Sequence, residues 1–285
     1  MEKVLKGKIV ADAINQGILN RMPALYERGI VPTLAIVRVG ENPSDIAYEN
    51  GAVKKAKTLG LQPEKFICPA DIDQRDLIEV IKAINNDEKI HGILLLQPLP
   101  ESIDADAVRN TLCPEKDLDC ISDASLSRLF LGETTGFAPC TAEACIEILK
   151  YNHIEIKGKK IVVIGRSMVI GKPVAMMLLK ENATITICHT KTAEADLKDL
   201  CRGADIVIAA AGHVGTLTAD MVSPGQVIID VGINFNEEGK MLGDVDFEAV
   251  SKIAAAATPV PGGVGSVTTT LLMKHLVEAA ERTVK

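Results

Sequence analysis

Residues 161–173 read Ile-Val-Val-Ile-Gly-Arg-Ser-Met-Val-Ile-Gly-Lys-Pro, and this stretch decides the fold. Lys160–Ile164 reads as a strand, and Ile161–Ile164 within it is a continuous run of β-branched residues, as expected of a strand buried on both faces inside a parallel sheet. Gly165 then turns the chain, and Gly171 with Pro173 opens a helix. Proline suits a first helical turn because its missing N–H would find no partner there. The free N–H groups and positive dipole end of such a turn favour a pyrophosphate. Ser167 stands where the G-x-G-x-x-G fingerprint carries its middle glycine, so the spacing alone is weak. Placement between strand and helix carries the reading, and it makes Gly165, Arg166, Ser167 and Gly171 candidate cofactor contacts.

Outward from this turn, strand-like and helical runs alternate. Downstream, Lys172–Lys180 reads as a helix, Thr184–Cys188 as a strand, Ala193–Cys201 as a helix, and Asp205–Ala209 and Val227–Asp230 as strands. A last helix covers Thr268–Arg282. Upstream, Pro32–Val39 is a strand, Asp45–Leu59 a helix and Gln62–Cys68 a strand. Asp73–Asn85 carries Leu77, Ile78, Ile81 and Ile84 at helical spacing, and Gly92–Leu96 is a strand closed by Pro98 and Pro100. Alternation of this kind predicts an α/β fold with a mostly parallel sheet covered on both faces. A chain of 285 residues is long enough for two domains. The expected boundary is at Cys140–Thr141, where Gly132–Pro139 gives way to a helix over Ala142–Lys150.

Composition narrows the function. Hydrophobic residues make up 47% and charged residues 24%, which excludes a disordered or collagen-like chain. Aromatic residues are only 3% and Trp is absent, leaving little stacking surface for single-stranded nucleic acid. A net charge of −7 argues against a general binder of phosphate backbones. No apolar run has the length of a signal-peptide core or a membrane span. The seven cysteines form no C-x-x-C pair, and their spacing suits neither a zinc site nor a disulfide framework. Small buried thiols in a reducing cytoplasm are the expected reading, with no metal.

Three further segments bear on ligands. The strand Thr184–Cys188 ends in His189-Thr190-Lys191 and offers no carboxylate, whereas an NAD site places Asp or Glu there for the ribose 2′-OH. Arg166 can instead form a charged fork with a 2′-phosphate, which favours NADP, with NAD the alternative. His189 and Thr190 are candidate cofactor contacts by position, and His189 reads equally well as a loop histidine with no catalytic role. Asp230-Val231-Gly232-Ile233-Asn234 follows another strand, which makes Gly232 and Ile233 candidates and Asp230 a strand-end cap. Thr258-Pro-Val-Pro-Gly-Gly-Val-Gly-Ser266 is either a loop that approaches a ligand closely or a domain connection. In the first half, Tyr48 sits on a helix with Lys54, Lys55 and Lys57, a run that usually marks a solvated face. Pro114–Asp119 carries Asp117 and Asp119 at alternate positions, so one can enter a cleft while the other faces away.

Together these segments resemble the FolD family, the methylenetetrahydrofolate dehydrogenase/cyclohydrolases of one-carbon metabolism. The match covers nearly the whole chain. It rests on Pro-Val-Pro-Gly-Gly-Val-Gly (259–265), Gly-Arg-Ser-x-x-x-Gly-x-Pro (165–173), Asp-Val-Gly-Ile-Asn (230–234), Gly-Asp-Val-Asp-Phe (243–247), Pro139-Cys140-Thr141 and Lys116-Asp117-x-Asp119. The resemblance implies two lobes with folate in the cleft between them: residues 1–141, completed by 268–285, as a folate-binding catalytic domain, and 142–267 as a Rossmann-type NAD(P) domain. It implies hydride transfer from 5,10-methylenetetrahydrofolate to NADP, commonly followed by hydrolysis of the methenyl product, and a homodimer. Residue by residue, Tyr48 matches the tyrosine that packs on folate, Asp119 the aspartate that binds the pterin, and Pro261, Gly262 and Gly263 the loop near folate and nicotinamide.

The departures from the pattern concern one half of that chemistry. The family places a catalytic Lys four residues after the Tyr, and here that position is Ala52. Leu96 stands at the position of the Gln that orients this Lys, and Cys120 replaces the Gly after the pterin Asp. Neither Ala52 nor Leu96 can move a proton. The expectation is a dehydrogenase with weak or lost cyclohydrolase activity. One alternative restores that step through Lys55, seven residues from Tyr48 on the same helical face, or through water. Another is an inactive folate- or nucleotide-binding regulator on the same scaffold.

Overall fold

The computed structural model describes residues 3–133 and 135–284. In chain order its elements are β1 (Lys3–Val4), α1 (Gly7–Glu27), β2 (Thr33–Val39), α2 (Pro43–Thr58), β3 (Gln62–Cys68), α3 (Gln74–Asn86), β4 (Gly92–Leu95), α4 (Ala105–Arg109), α5 (Asp123–Leu131) and α6 (Cys140–Tyr151). There follow β5 (Lys160–Ile164), α7 (Gly171–Lys180), β6 (Thr184–Cys188), α8 (Glu194–Arg202), β7 (Ile206–Ala209) and β8 (Val227–Asp230). The chain ends with β9 (Asn234–Phe235), β10 (Met241–Leu242), α9 (Phe247–Val250), β11 (Ala256–Ala257) and α10 (Gly265–Arg282).

The chain divides into two units. The first holds Ala13–Cys140 with the residues from Thr269 on, and the second holds Thr141–Thr268 with the residues up to Asp12. The expectation placed residues 1–141 together, whereas here the residues up to Asp12 go with the second unit. Strand β1 pairs in parallel with β11, Lys3 opposite Ala256 and Val4 opposite Ala257, and so extends the sheet of the second unit. Its two rungs satisfy backbone groups that an edge strand would leave open.

In the first unit, β3-β2-β4 form a parallel three-stranded sheet. All seven residues of β2 are buried, the burial that a central parallel strand undergoes. Helix α3 buries Leu77, Ile81 and Ile84, one stripe at i, i+4 and i+7. Helix α2 starts two residues before the expected Asp45, because Asn42 accepts a hydrogen bond from the Ser44 N–H (2.9 Å) and Pro43 fits the first turn. It buries Glu49, Ala52 and Ala56.

In the second unit six parallel strands run in the order β1-β11-β8-β7-β5-β6. Strand β5 pairs with β6 on one side and β7 on the other, so the winding reverses there. Open α/β sheets hold their ligands beyond the carboxyl ends of the strands at such a reversal. Val162, Ile164, Val207, Ala209 and Ile228 belong to the apolar core beneath it. All seven cysteines are free thiols, and no helix of the described residues is long and apolar enough to cross a membrane.

Candidate functional site

The segment Pro114–Asp119 divides its charges between support and site. The Lys116 ammonium donates to the carbonyls of Asn85 and Asp87 (both 2.7 Å), closing the C-terminal end of α3. Asp117, 1% exposed, accepts from the Ser122 N–H (2.9 Å), the Ser122 hydroxyl (2.7 Å) and the Ile121 N–H (3.1 Å), and so fixes the start of α5. Asp119 points elsewhere: its Oδ1 accepts from the Cys140 N–H (2.9 Å) at the first residue of α6. Between them in role, Cys120 sits at φ +53°, in the left-handed region that favours glycine.

Tyr48 from α2 converges on Asp119. Tyr48 as a whole is 41% exposed. Burial raises the phenol above its ordinary pKa, Asp119 and Cys140 add to the rise, and a hydrogen bond from the Thr269 hydroxyl opposes it. Burial also pushes the Asp119 carboxyl up, against the Cys140 N–H and the nearby His275. Ala52, one turn after Tyr48, is fully buried, and Leu96 is 6% exposed with its N–H donating to the Val37 carbonyl (3.0 Å). Lys55 is half-buried two turns along α2 from Tyr48, an axial offset of about 10 Å.

Next to Tyr48 lies an ion pair that the sequence did not reveal. Glu49, 1% exposed, accepts from Arg38 Nε (2.8 Å) and meets Lys65 Nζ at 2.6 Å. Burial alone would raise this carboxyl, but the two cations outweigh it and hold it below the usual carboxylate range.

The second unit carries the expected cofactor turn. Gly165 lies at φ +130°, and a Cβ there would stand 2.2 Å from the Ala210 carbonyl oxygen. The turn after β5 therefore presses directly on the end of β7, across the reversal point. A Cβ on Gly171 would in turn stand 2.3 Å from the Gly165 oxygen. The Ser167 hydroxyl accepts from the Ile170 N–H (3.2 Å), and Ile170, which caps α7, offers no side-chain hydrogen bond to its first turn. Arg166 and Ser167 are exposed. A backbone drawn this close, opening a helix with no side-chain cap beside an exposed guanidinium, fits a dinucleotide phosphate. At the end of β6, the His189 ring accepts from the Lys191 N–H (3.2 Å) and the His189 N–H donates to the Thr192 hydroxyl (3.0 Å), with Thr190 exposed between them.

Asp230 and Asp244 act as straps. Asp244 Oδ2 accepts from the Ala211 (2.6 Å) and Gly212 (2.8 Å) N–H groups after β7, and its Oδ1 accepts from the Asn234 amide (3.0 Å). Asp230 accepts from the N–H groups of Gly232 (3.0 Å), Asp244 (3.0 Å) and Val245 (3.1 Å). Burial pushes Asp230 up to about 6, against these donors. The straps hold open a cavity of about 280 Å³ lined by Gly232, Ile233, Met241 and Pro259–Ser266. Gly232, Ile233, Pro261, Gly262 and Gly263 thus share one cavity.

Cys140, Thr269 and His275 were not singled out from sequence. Cys140 lay inside a matched motif but without a role. Thr269 and His275 belong to a helix that reads as plain amphipathic core, and only their distant partners mark them.

Residues 5–119 match the family model described as the tetrahydrofolate dehydrogenase/cyclohydrolase catalytic domain, and residues 139–284 match that of its NAD(P)-binding domain. The chain is 48% identical over 279 residues to the bifunctional protein FolD of Alkaliphilus oremlandii, covering 98% of this chain and 97% of that one. Among solved structures, the bifunctional FolD of Campylobacter jejuni superposes with a TM-score of 0.96 at 38% identity, over 99% of both chains. The Trypanosoma brucei FolD, solved with NADP and an inhibitor, superposes with a TM-score of 0.92 at 35% identity, over 99% of this chain and 98% of that one.

Proposed function

The chain belongs to the tetrahydrofolate dehydrogenase/cyclohydrolase family, and from that membership we propose that it oxidises 5,10-methylenetetrahydrofolate to the methenyl compound with NADP, while its cyclohydrolase step is weak or lost. When bound, NADP supplies the hydride acceptor. Arg166, Ser167 and the turn Gly165–Gly171 hold its phosphates, His189 and Thr190 flank the adenosine end, and Gly232 and Ile233 line the cavity shared with Pro261–Gly263. Tyr48 packs on the folate and Asp119 binds the pterin. The protein's share of the hydride step is to hold donor and acceptor in register, which needs no protein nucleophile.

The observation that carries the hydrolytic half of the proposal is the pair Ala52 and Leu96, both buried and apolar where the resemblance places Lys and Gln. Water attack on the methenyl carbon needs a group that relays a proton, and neither residue has one. The bifunctional names of the relatives favour a second reading, in which Lys55 or a water chain takes over that relay. The proposal further includes a homodimer in the cytoplasm. Purified protein is mixed with 5,10-methylenetetrahydrofolate and NADP, and NADPH formation and methenyl absorbance are followed together. The expected result is NADPH formation with methenyl hydrolysis at the uncatalysed rate. Fast enzyme-dependent hydrolysis overturns the monofunctional reading, and Lys55→Ala then tests its replacement. No reduction of either NADP or NAD overturns the enzyme assignment and leaves the inactive regulator.

A further inference from the structure

A buried histidine is ordinarily a satisfied core residue, and His275, 2% exposed on α10, has the burial of one. Its partners give it a different job. His275 Nδ1 lies 2.7 Å from the Leu118 carbonyl oxygen. A carbonyl only accepts, so Nδ1 carries the proton and donates it. Leu118 immediately precedes Asp119, and rotation of the peptide plane between them swings the Asp119 carboxylate. His275 holds that plane through the Leu118 oxygen, and the Cys140 N–H holds the carboxylate itself (2.9 Å).

The imidazole is fixed in its own right. It stacks on Phe137 with ring centroids 4.9 Å apart and 30° between planes. The Arg282 guanidinium lies 4.4 Å from the Phe137 centroid, and its Nη1 donates to the Thr135 carbonyl (2.6 Å). The Cys140 thiol lies 3.8 Å from Nδ1. The α10 histidine therefore holds the peptide next to Asp119 from 157 residues away in sequence.

We propose that α10 supplies a positioning residue for the folate grip: His275 orients Asp119 through the Leu118 peptide. The proposal rests on the assignment of Asp119 to folate. Supporting groups of this kind act on affinity without touching the ligand.

The test uses the full chain and steady-state kinetics with 5,10-methylenetetrahydrofolate and NADP. His275→Leu is expected to raise the folate KM about tenfold, with kcat within about threefold and the NADP KM unchanged. His275→Asn retains an N–H donor on a side chain of similar reach and is expected to bring the folate KM back to within about threefold. Phe137→Leu removes the ring stacked on the imidazole and is expected to raise the folate KM to a lesser degree, so it carries the test if His275→Leu fails to fold. A folate KM unchanged in His275→Leu and Phe137→Leu, or raised together with the NADP KM and a lowered kcat, overturns the proposal. Asp119→Asn separates the two layers. If it raises the folate KM while the His275 and Phe137 variants do not, the positioning role falls alone. If it too leaves KM unchanged, the folate assignment falls and takes the positioning role with it.

Discussion

One residue from Tyr48, Glu49 holds a charge in the interior of the first unit, and its energetics follow from what surrounds it. Arg38 is 6% exposed and Glu49 1%, so neither charge has water to fall back on. Removing one partner of such a pair strands the other. Glu49→Ala is therefore expected to cost about 3–5 kcal/mol in urea unfolding, and a double variant with Arg38→Leu to cost less than the sum of the singles. The folded-state pKa of Glu49 lies below its usual 4.5, so its stabilising contribution is present above that value. It is lost as pH falls through the lower folded value, and the gap between wild type and Glu49→Ala narrows accordingly below about pH 4.5. Nothing in the sequence marks Glu49, because a glutamate on a lysine-bearing helix reads as solvated. Ala52 and Leu96, by contrast, are legible as departures once the motif is aligned, since a missing side chain needs no tertiary information to be noticed.

At the scale of elements, the runs that end at the cofactor turn were readable almost to the residue. Lys160–Ile164 and Thr184–Cys188 form strands with the expected bounds: β5 is buried at every residue after Lys160, while β6, at the sheet edge, alternates Thr with Ile and buries only Cys188. The helices shift by one to three residues at their starts, as at α2, where capping by Asn42 outweighs the first apolar position. Strands β1 and β11, two residues each, are shorter than any period can reveal, and α1 contains Gly17 and Pro23, which read as breakers. The β5–α7 turn makes the sharpest element-level claim. At Gly165 both the positive φ and the 2.2 Å approach to the Ala210 oxygen exclude a side chain. Gly165→Ala must move the turn away from β7, at an expected cost of about 1–3 kcal/mol in stability. Titration calorimetry is expected to show NADP affinity reduced at least about tenfold, with affinity for the folate substrate unchanged. Equal affinity for NADP in the variant would remove the turn from the cofactor site.

For the whole molecule, length and alternation gave two units, but not that the first residues leave the half they begin. That exchange is a long-range pairing, fixed by backbone hydrogen bonds that no local pattern encodes: the Leu5 N–H to the Ala257 carbonyl (2.9 Å) and the Gly7 N–H to the Gly262 carbonyl (2.8 Å). The second bond fastens the N-terminal segment to the Pro-Val-Pro-Gly-Gly loop that lines the cavity. A Cβ on Gly7 would stand 2.0 Å from the Gly263 oxygen, whereas a Cβ on Gly17, in the same helix, meets nothing within 4 Å. The two glycines therefore predict opposite outcomes for one substitution. Gly17→Ala exchanges a flexible helical position for the best helix former and is expected to stabilise the chain by about 0.5–1 kcal/mol, with kinetics unchanged. Gly7→Ala must push Gly262–Gly263 aside, lowering Tm and raising KM, because the displaced backbone is the wall of the cavity. Thermal unfolding and steady-state kinetics on the two variants decide it. A Gly7→Ala protein with wild-type KM would mean that the loop is held by the second unit's own sheet and not by the N-terminal strand.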